Sequence, residues 1–539
     1  MDRLPPEILA HIIQSLSDSP SSDRKISPYV SISRSWQAAV EHQTFRSLHI
    51  SSRDLDNFAR RFAGPNIARR RILANLAVEF VLPTEDTRGV CCDAARKPDR
   101  EADTAALSKA VARLFDILSN IADRVGDGAP RLHLTFEKAT KRSDAVFGTR
   151  NDRRGLNCVD DEHEPEEVER ARLEMPLFDL RLGDEVPSLK DVYRFNFYLS
   201  GHLKELRQTW ISQIVGRLEG VEVVELVGAD WWKRGRRRRM EGRLDFGKGI
   251  EKLPILNIQE LRMTIYHSAI MNEDVPIHNL VQETQVDPYN LMFHHLSQFP
   301  ALTVLHLIGP LVITPTFFST LDSQSSFPAL TDFRLDFSAE TADGRWFFMR
   351  DDEAFDKAKQ DPKYEAYFAE TEEADDYIDE EDEDEEGPGP DEDEEPDEDG
   401  PVIDISDDPV HKRYRTLPDP ETLRPLLLDA ASAAKKMKNI KKFIMTVSDS
   451  WWKGTNHGMS YPFVNRVLEI LYLEQGTRST EMGRHEHPKF PADDAVEGNR
   501  VYWRVGGWEP WGEVQEAWRG FVGEGGKIVF LEDGAVGLF

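Results

Sequence analysis

Only three cysteines occur in 539 residues, Cys91, Cys92 and Cys158, and two of them are adjacent. That excludes a disulfide framework and any metal-binding cysteine spacing, and it fits a reducing compartment. A spanning helix needs about 20 mainly apolar residues. The nearest approach is Pro288–Leu321, which has no Asp, Glu, Lys or Arg. Pro300, Pro310 and Pro315 punctuate it, and Gln298, Thr303, His306 and Thr314 interrupt it. It reads as a helix, a buried strand and a loop, so no membrane partner is expected. The N-terminal stretch is not expected to be a secretory leader, because Asp2, Glu7, His11 and Gln14 break its apolar run.

Catalytic signatures are missing as well. There is no phosphate loop, no Gly-x-Ser-x-Gly, and no Gly-x-Gly-x-x-Gly after a strand. His294-His295 and His485-Glu486-His487 lack the i, i+4 spacing that puts two zinc ligands on one helix face. With no nucleophile–base pair discernible, a non-enzymatic chain without cofactor or metal is expected.

The charge is strongly one-sided, at −30. Of the 30 residues from Glu370 to Asp399, 21 are acidic and none is basic, so the rest of the chain carries −9. A general affinity for nucleic acid is not expected, since phosphate binding needs local positive charge. The acidic block is too charged and too poor in apolar residues to fold, and reads as a disordered insertion acting as a spacer or as a lure for basic partners.

The chain opens with Leu4-Pro5-Pro6-Glu7-Ile8-Leu9. Proline is tolerated in a first helical turn, and Glu7 there suits the positive end of the helix dipole. Leu9, Ile12, Ile13 and Leu16 continue at helical spacing as one apolar stripe. Residues 17–28 read as a loop. A second short helix carries Val30, Trp36, Ala39 and Val40, and Phe45–Ile50 reads as extended. So few residues bury little by themselves, and an exposed apolar stripe asks for a cover. That cover is either the rest of the chain or a partner.

Leu4-Pro5-x-Glu7-Ile8-Leu9-x-x-Ile12, followed by Ser33-x-x-Trp36 and Val40, resembles the F-box. The resemblance is to the form common in fungal proteins, where a Trp-Gln helix (Trp36-Gln37) leads into a Phe-Arg-x-Leu strand (Phe45-Arg46-Ser47-Leu48). It is specific over residues 4–50 and looser to Pro83. It implies docking to the small adaptor subunit of a cullin–RING ubiquitin ligase. Leu4, Pro5, Glu7, Ile8, Leu9, Ile12, Ile13, Trp36 and Val40 would form or support that surface.

Further along, a strand pattern recurs: Val221-x-x-Val224-x-Leu226, Ile258-x-x-Leu261-x-Met263, Leu302-x-x-Leu305-x-Leu307, Leu330-x-x-Phe333-x-Leu335 and Ile440-x-x-Phe443-x-Met445. Weaker copies lie at 45–50, 76–82, 132–136 and 189–197. This is the strand signature of leucine-rich repeats. Amphipathic helices are expected at Leu107–Ile121, at Leu203–Leu218 and at Leu423–Ala431. Strand, helix, strand at these distances argues for α/β architecture with parallel strands. The expected organisation is an F-box over 1–50, an irregular leucine-rich-repeat-like solenoid over 51–360, an acidic disordered insertion over 361–419, more repeat body over 420–498, and a strand–helix–strand cap over 499–539. An ordinary parallel α/β domain is the alternative.

In such a body the loops after the strands share one rim. Asp230-Trp231-Trp232-Lys233 resembles Ser450-Trp451-Trp452-Lys453, and Trp346 follows another strand. These aromatics are candidate substrate anchors, or packing for the rim itself. Lys233–Arg239 is a dense basic run, read as a nuclear import signal, a phosphate binder, a solvated loop or a partner for the acidic block. Val402, Ile403 and Ile405, flanked by acids, resemble the motif that adds a strand to the small ubiquitin-like modifier. The chain is expected inside the cell, in cytoplasm, nucleus or both.

Overall fold

The structure is a computed structural model. It describes residues 4–17, 26–83, 99–125, 130–141, 177–230, 236–253, 256–267, 273, 276–281, 286–319, 321, 327–362, 415–447, 466–477, 498–506 and 508–531. The chain divides into two units, Met1–Leu226 with Lys252–Ile258, and Val227–Glu251 with Gln259–Phe539.

The first unit starts with α1 (Pro6–Ser17), a 3-10 turn and α2 (Arg34–Arg46). Ser33 caps α2, its hydroxyl accepting from the Trp36 amide at 3.4 Å, a common way to satisfy an orphan N–H. The helix runs through Phe45 and Arg46, which the sequence had suggested were extended; the strand begins only at Ser47. Then come β1 (Ser47–Ser51), α3 (Leu55–Arg61), β2 (Asn75–Leu82), α4 (Arg100–Val125), β3 (Leu132–Lys141), β4 (Val192–Phe197), α5 (Trp210–Val215) and the start of β5 (Val223–Asp230). The five strands lie side by side in chain order and every pair is parallel.

Alternation drives this packing. Leu76, Val78, Phe80 and Leu82 are buried while their neighbours in β2 are half-buried, as a pleat requires. α4 lays Leu107, Val111, Leu114, Leu118 and Ile121 into the core. The helix expected over 203–218 is broken instead. Leu206 is extended and its neighbours bond to Phe178 (Arg207 amide to the Phe178 carbonyl, 2.9 Å). A tertiary strand pairing thus overrides the helical period there, although Leu203, Leu206, Trp210, Ile214 and Leu218 are all buried.

In the second unit β5 ends and α6 (Arg236–Glu251), β6 (Glu260–His267), α7 (Pro288–Leu296), β7 (Val304–Ile313) and β8 (Asp332–Thr341) follow. Helix, strand and loop thus occupy 288–321 as anticipated. Next are β9 (Phe348–Arg350), α8 (Asp352–Lys359), β10 (Arg415–Pro418), α9 (Leu423–Lys436), β11 (Lys442–Val447), β12 (Leu468–Leu473), β13 (Arg500–Val505), α10 (Gly512–Val522) and β14 (Lys527–Phe530). The strand order is β6-β7-β8-β11-β12-β13-β14, with β9 and β10 forming a separate antiparallel ribbon. Residues 415–418, placed in the insertion by the sequence reading, are therefore strand; the acidic residues 370–399 lie outside the described residues.

All five Leu-x-x-Leu-x-Leu segments and the four weaker copies supply strands. A further strand, β12, has the same spacing (Leu468-x-x-Leu471-x-Leu473) and was not anticipated. It runs antiparallel to both β11 and β13. The last elements form the strand–helix–strand expected at the C-terminus, with β13 and β14 parallel. Trp518 of α10 sits under Trp503 and Phe443 and donates its indole N–H to the Leu427 carbonyl at 3.2 Å. Both units are mixed α/β with mainly parallel pairing. Among the described residues no helix is long and apolar enough to cross a membrane.

Candidate docking and recognition surfaces

The N-terminal helices form a small core of their own. Leu9 and Ile13 of α1 pack on Trp36 and Val40 of α2, with Ile12, Leu16, Tyr29, Val30 and Ala39 around them. The Tyr29 and Trp36 rings lie 5.9 Å apart. The opposite side of α1 is uncovered. Leu4 is 38% exposed and Ile8 46%, with Pro5 and Glu7 exposed beside them. The nine residues expected at the docking surface therefore split. Leu9, Ile13, Trp36 and Val40 are sealed inside, where no partner reaches them, and their role is to hold the helices. Ile12 is half-buried. Ile32, 47% exposed in the turn before α2, is a surface apolar residue that sequence reasoning missed; the only hint was its place four residues ahead of the buried Trp36.

At the carboxyl ends of the strands in the second unit lies a buried ionic cluster. Asp230, the last residue of β5, accepts from Arg239 Nε at 3.0 Å and from Arg243 Nη1 at 3.1 Å. Arg243 also donates to Asp287 and, at 2.9 Å, to the Val312 carbonyl, with its guanidinium 3.9 Å from the Tyr289 ring centre. His267, ending β6, is 2.8 Å by Nδ1 from the Asp230 carbonyl, and its Nε2 faces Glu340 of β8. Burial alone would raise the Asp230 and Glu340 carboxyls. The facing groups outweigh it, the Arg239 and Arg243 guanidiniums at Asp230 and the His267 side chain at Glu340, so both carboxyls are held below the usual carboxylate range. Burial also pushes the Tyr289 phenol up.

This cluster corrects the reading of the basic run as a solvated loop. Arg239 is fully enclosed by Asp230 and Glu340, and Arg236 donates to the Asn279 carbonyl at 2.9 Å. Of the run, Arg236–Arg239 open α6, where Arg237 and Arg238 are exposed and the inner Arg239 is structural. Among the described residues no group of His, Cys, Asp or Glu is arranged to hold a metal.

Of the rim aromatics, Trp231, Trp232, Lys233, Trp451, Trp452 and Lys453 lie outside the described residues. So do Val402, Ile403 and Ile405 of the modifier-like motif. Trp346 is half-buried, its ring 5.2 Å from the Arg415 guanidinium and its carbonyl accepting from Thr422 Oγ1 at 2.7 Å. Glu273, itself buried, accepts from the Arg415 amide at 2.7 Å and from the Arg466 guanidinium. Trp346 is thus packed into the root of the β9–β10 ribbon and offers less free ring than an anchor would. Compared with known proteins, the chain matches no family model and no curated sequence.

Proposed function

We propose that the chain is a substrate-recognition adaptor of a Skp–cullin–F-box type ubiquitin ligase. The N-terminal helices dock the adaptor subunit and, through it, cullin, while an irregular leucine-rich-repeat-like solenoid holds a protein substrate. The observation that carries this reading is the two-sidedness of α1. One face closes a core with Trp36 and Val40, and the other leaves Ile8 in water, with Leu4 and Pro5 exposed just ahead of the helix. Exposed apolar side chains on a small helical module fit a surface that a partner covers. The sequence pattern over residues 4–50 supplies the identity of that partner. Leu4, Pro5, Ile8 and Ile32 make the contacts, and Leu9, Ile13, Trp36 and Val40 keep the two helices in register. The body brings a substrate to the ligase and performs no chemistry itself. This role places the chain in the cytoplasm, the nucleus or both.

The test is co-purification of the full chain with the ligase's small adaptor, beside a Leu4→Ala, Pro5→Ala, Ile8→Ala variant. Stoichiometric capture by the wild type and none by the variant supports the proposal. If the folded wild type captures nothing, the helices are a structural cap and the chain is a scaffold without a ligase.

A further inference from the structure

The N-terminal unit gathers arginine in a way that adaptor docking does not use. From Arg34 to Leu73 there are eight arginines, no lysine and three acids (Glu41, Asp54 and Asp56), a surplus of five positive charges in a chain of net −30. The fold concentrates them. α2 ends at Arg46, α3 at Arg60 and Arg61, and the 3-10 segment Gly64–Arg71 at Arg69, Arg70 and Arg71.

These three ends meet. Arg69 donates from Nη1 to the Arg61 carbonyl at 3.2 Å and from Nη2 to the Glu41 carboxylate at 3.1 Å. Its guanidinium lies 4.4 Å from the centre of the Phe45 ring. The Arg46 carbonyl accepts from the amide of Ala74 at 2.9 Å, three residues beyond Arg71.

Two of the arginines are used by the fold. Arg69 is the knot just described, and Arg70 is buried on Asp191 and the carbonyls of Leu73 and Pro130. The other six, Arg34, Arg46, Arg53, Arg60, Arg61 and Arg71, are exposed, and none has a carboxylate partner among the described residues. Cations do suit the carboxyl ends of helices. But each end carries only about half a negative charge, so three ends offset roughly 1.5 of the five. Most of the surplus is left over.

We infer that this arginine cluster is a docking surface for an acidic polypeptide segment. Arginine's planar fork meets a carboxylate at two points, which lysine does not. Single-stranded nucleic acid fits less well, because its bases need exposed rings to stack on, and duplex, which is held through phosphates alone, is separated by the test below. Phe58 and Phe62 are buried, and Phe45 is covered by Arg69. The inference is independent of the ligase reading, since none of its residues belongs to the Leu4–Ile8–Ile32 surface.

The experiment is a binding titration at low salt, where surface charge is least screened. The full chain is titrated with a fluorescent polyglutamate peptide, and separately with single-stranded and duplex DNA. It is run on the wild type, on Arg60→Gln, Arg61→Gln, Arg71→Gln, and on a charge-matched variant, Arg131→Gln, Arg181→Gln, Arg207→Gln. Three exposed arginine–carboxylate contacts together amount to about a tenfold change in affinity. The expected result is peptide binding that weakens about tenfold in the first variant and stays close to wild type in the second, with equal thermal stability of wild type and first variant. Absence of peptide binding, equal loss in both variants, or tighter binding of either DNA overturns the inference.

Discussion

Arg243 and Asp287 are bound through one nitrogen, Nη2, which donates to both carboxylate oxygens at 2.7 and 2.9 Å, and both side chains are essentially inaccessible to water. Asp287 also caps α7, accepting from the Tyr289 amide at 3.1 Å. Removing one partner of a buried pair strands the other charge, which costs about 3–5 kcal/mol. Asp287→Ala should therefore lower the unfolding free energy by that order, read as a lower urea midpoint of the full chain. A shift no larger than that of an exposed substitution would show that the pair contributes little.

The same cluster sets an acid limit. Asp230 and Glu340 are held below their ordinary values in the folded state. The unfolded state therefore binds protons first as pH falls. The stabilisation is complete above the unfolded carboxylate range, near pH 4, and drains away as pH drops through the lower folded values. Melting temperature followed from pH 7 downward should fall below about pH 4. In Glu340→Gln the start should be lower and the acid limb shallower. An unchanged limb would mean that other carboxylates govern acid unfolding.

Two isoleucines one helical face apart should behave oppositely. Ile13 is fully buried against Trp36, and Ile8 is exposed. Ile13→Ala should cost about 2–5 kcal/mol through lost burial and the cavity left behind. Ile8→Ala should stay within about 0.5 kcal/mol while weakening capture of the adaptor subunit. Limited proteolysis of residues 1–50, alongside the capture assay, reads both effects.

Gly309 in β7 has φ +93°, and a Cβ there would lie 2.3 Å from the Ile265 carbonyl oxygen of β6. It sits where the β7–β8 register shifts, between Leu307 and Leu311. Only glycine tolerates both the conformation and the approach. Gly309→Ala should destabilise by more than about 1 kcal/mol, read as a lower melting temperature. A neutral outcome would mean that β7 can shift away from β6 at little cost.

Much of this fold was legible because its signals are local. A side-chain period of two with Leu-x-x-Leu-x-Leu spacing marks a strand wherever it occurs, and α4 and α9 announce themselves by a period of 3.6. The apolar stripe of α1 was equally plain. Which of the N-terminal apolar residues face water was not, because it depends on where α2 lies. Leu9 and Ile13 meet Trp36; Leu4 and Ile8 do not.

Strand direction shows the same division. Leu468–Leu473 has the spacing of the parallel strands and yet pairs antiparallel. The spacing records which side chains are buried, and burial is indifferent to the direction of the neighbouring chain. The arginines show it for charge. Arg237, exposed, and Arg239, buried, sit two places apart in one basic run. The difference comes from Asp230 and Glu340, brought to Arg239 from the strands β5 and β8. The sequence by itself determined most of the strands, the long amphipathic helices and where charge accumulates. The tertiary structure alone decided strand direction, the break at Leu206, and which apolar and charged side chains remain for a partner, since each depends on groups distant in the chain that only folding brings within reach.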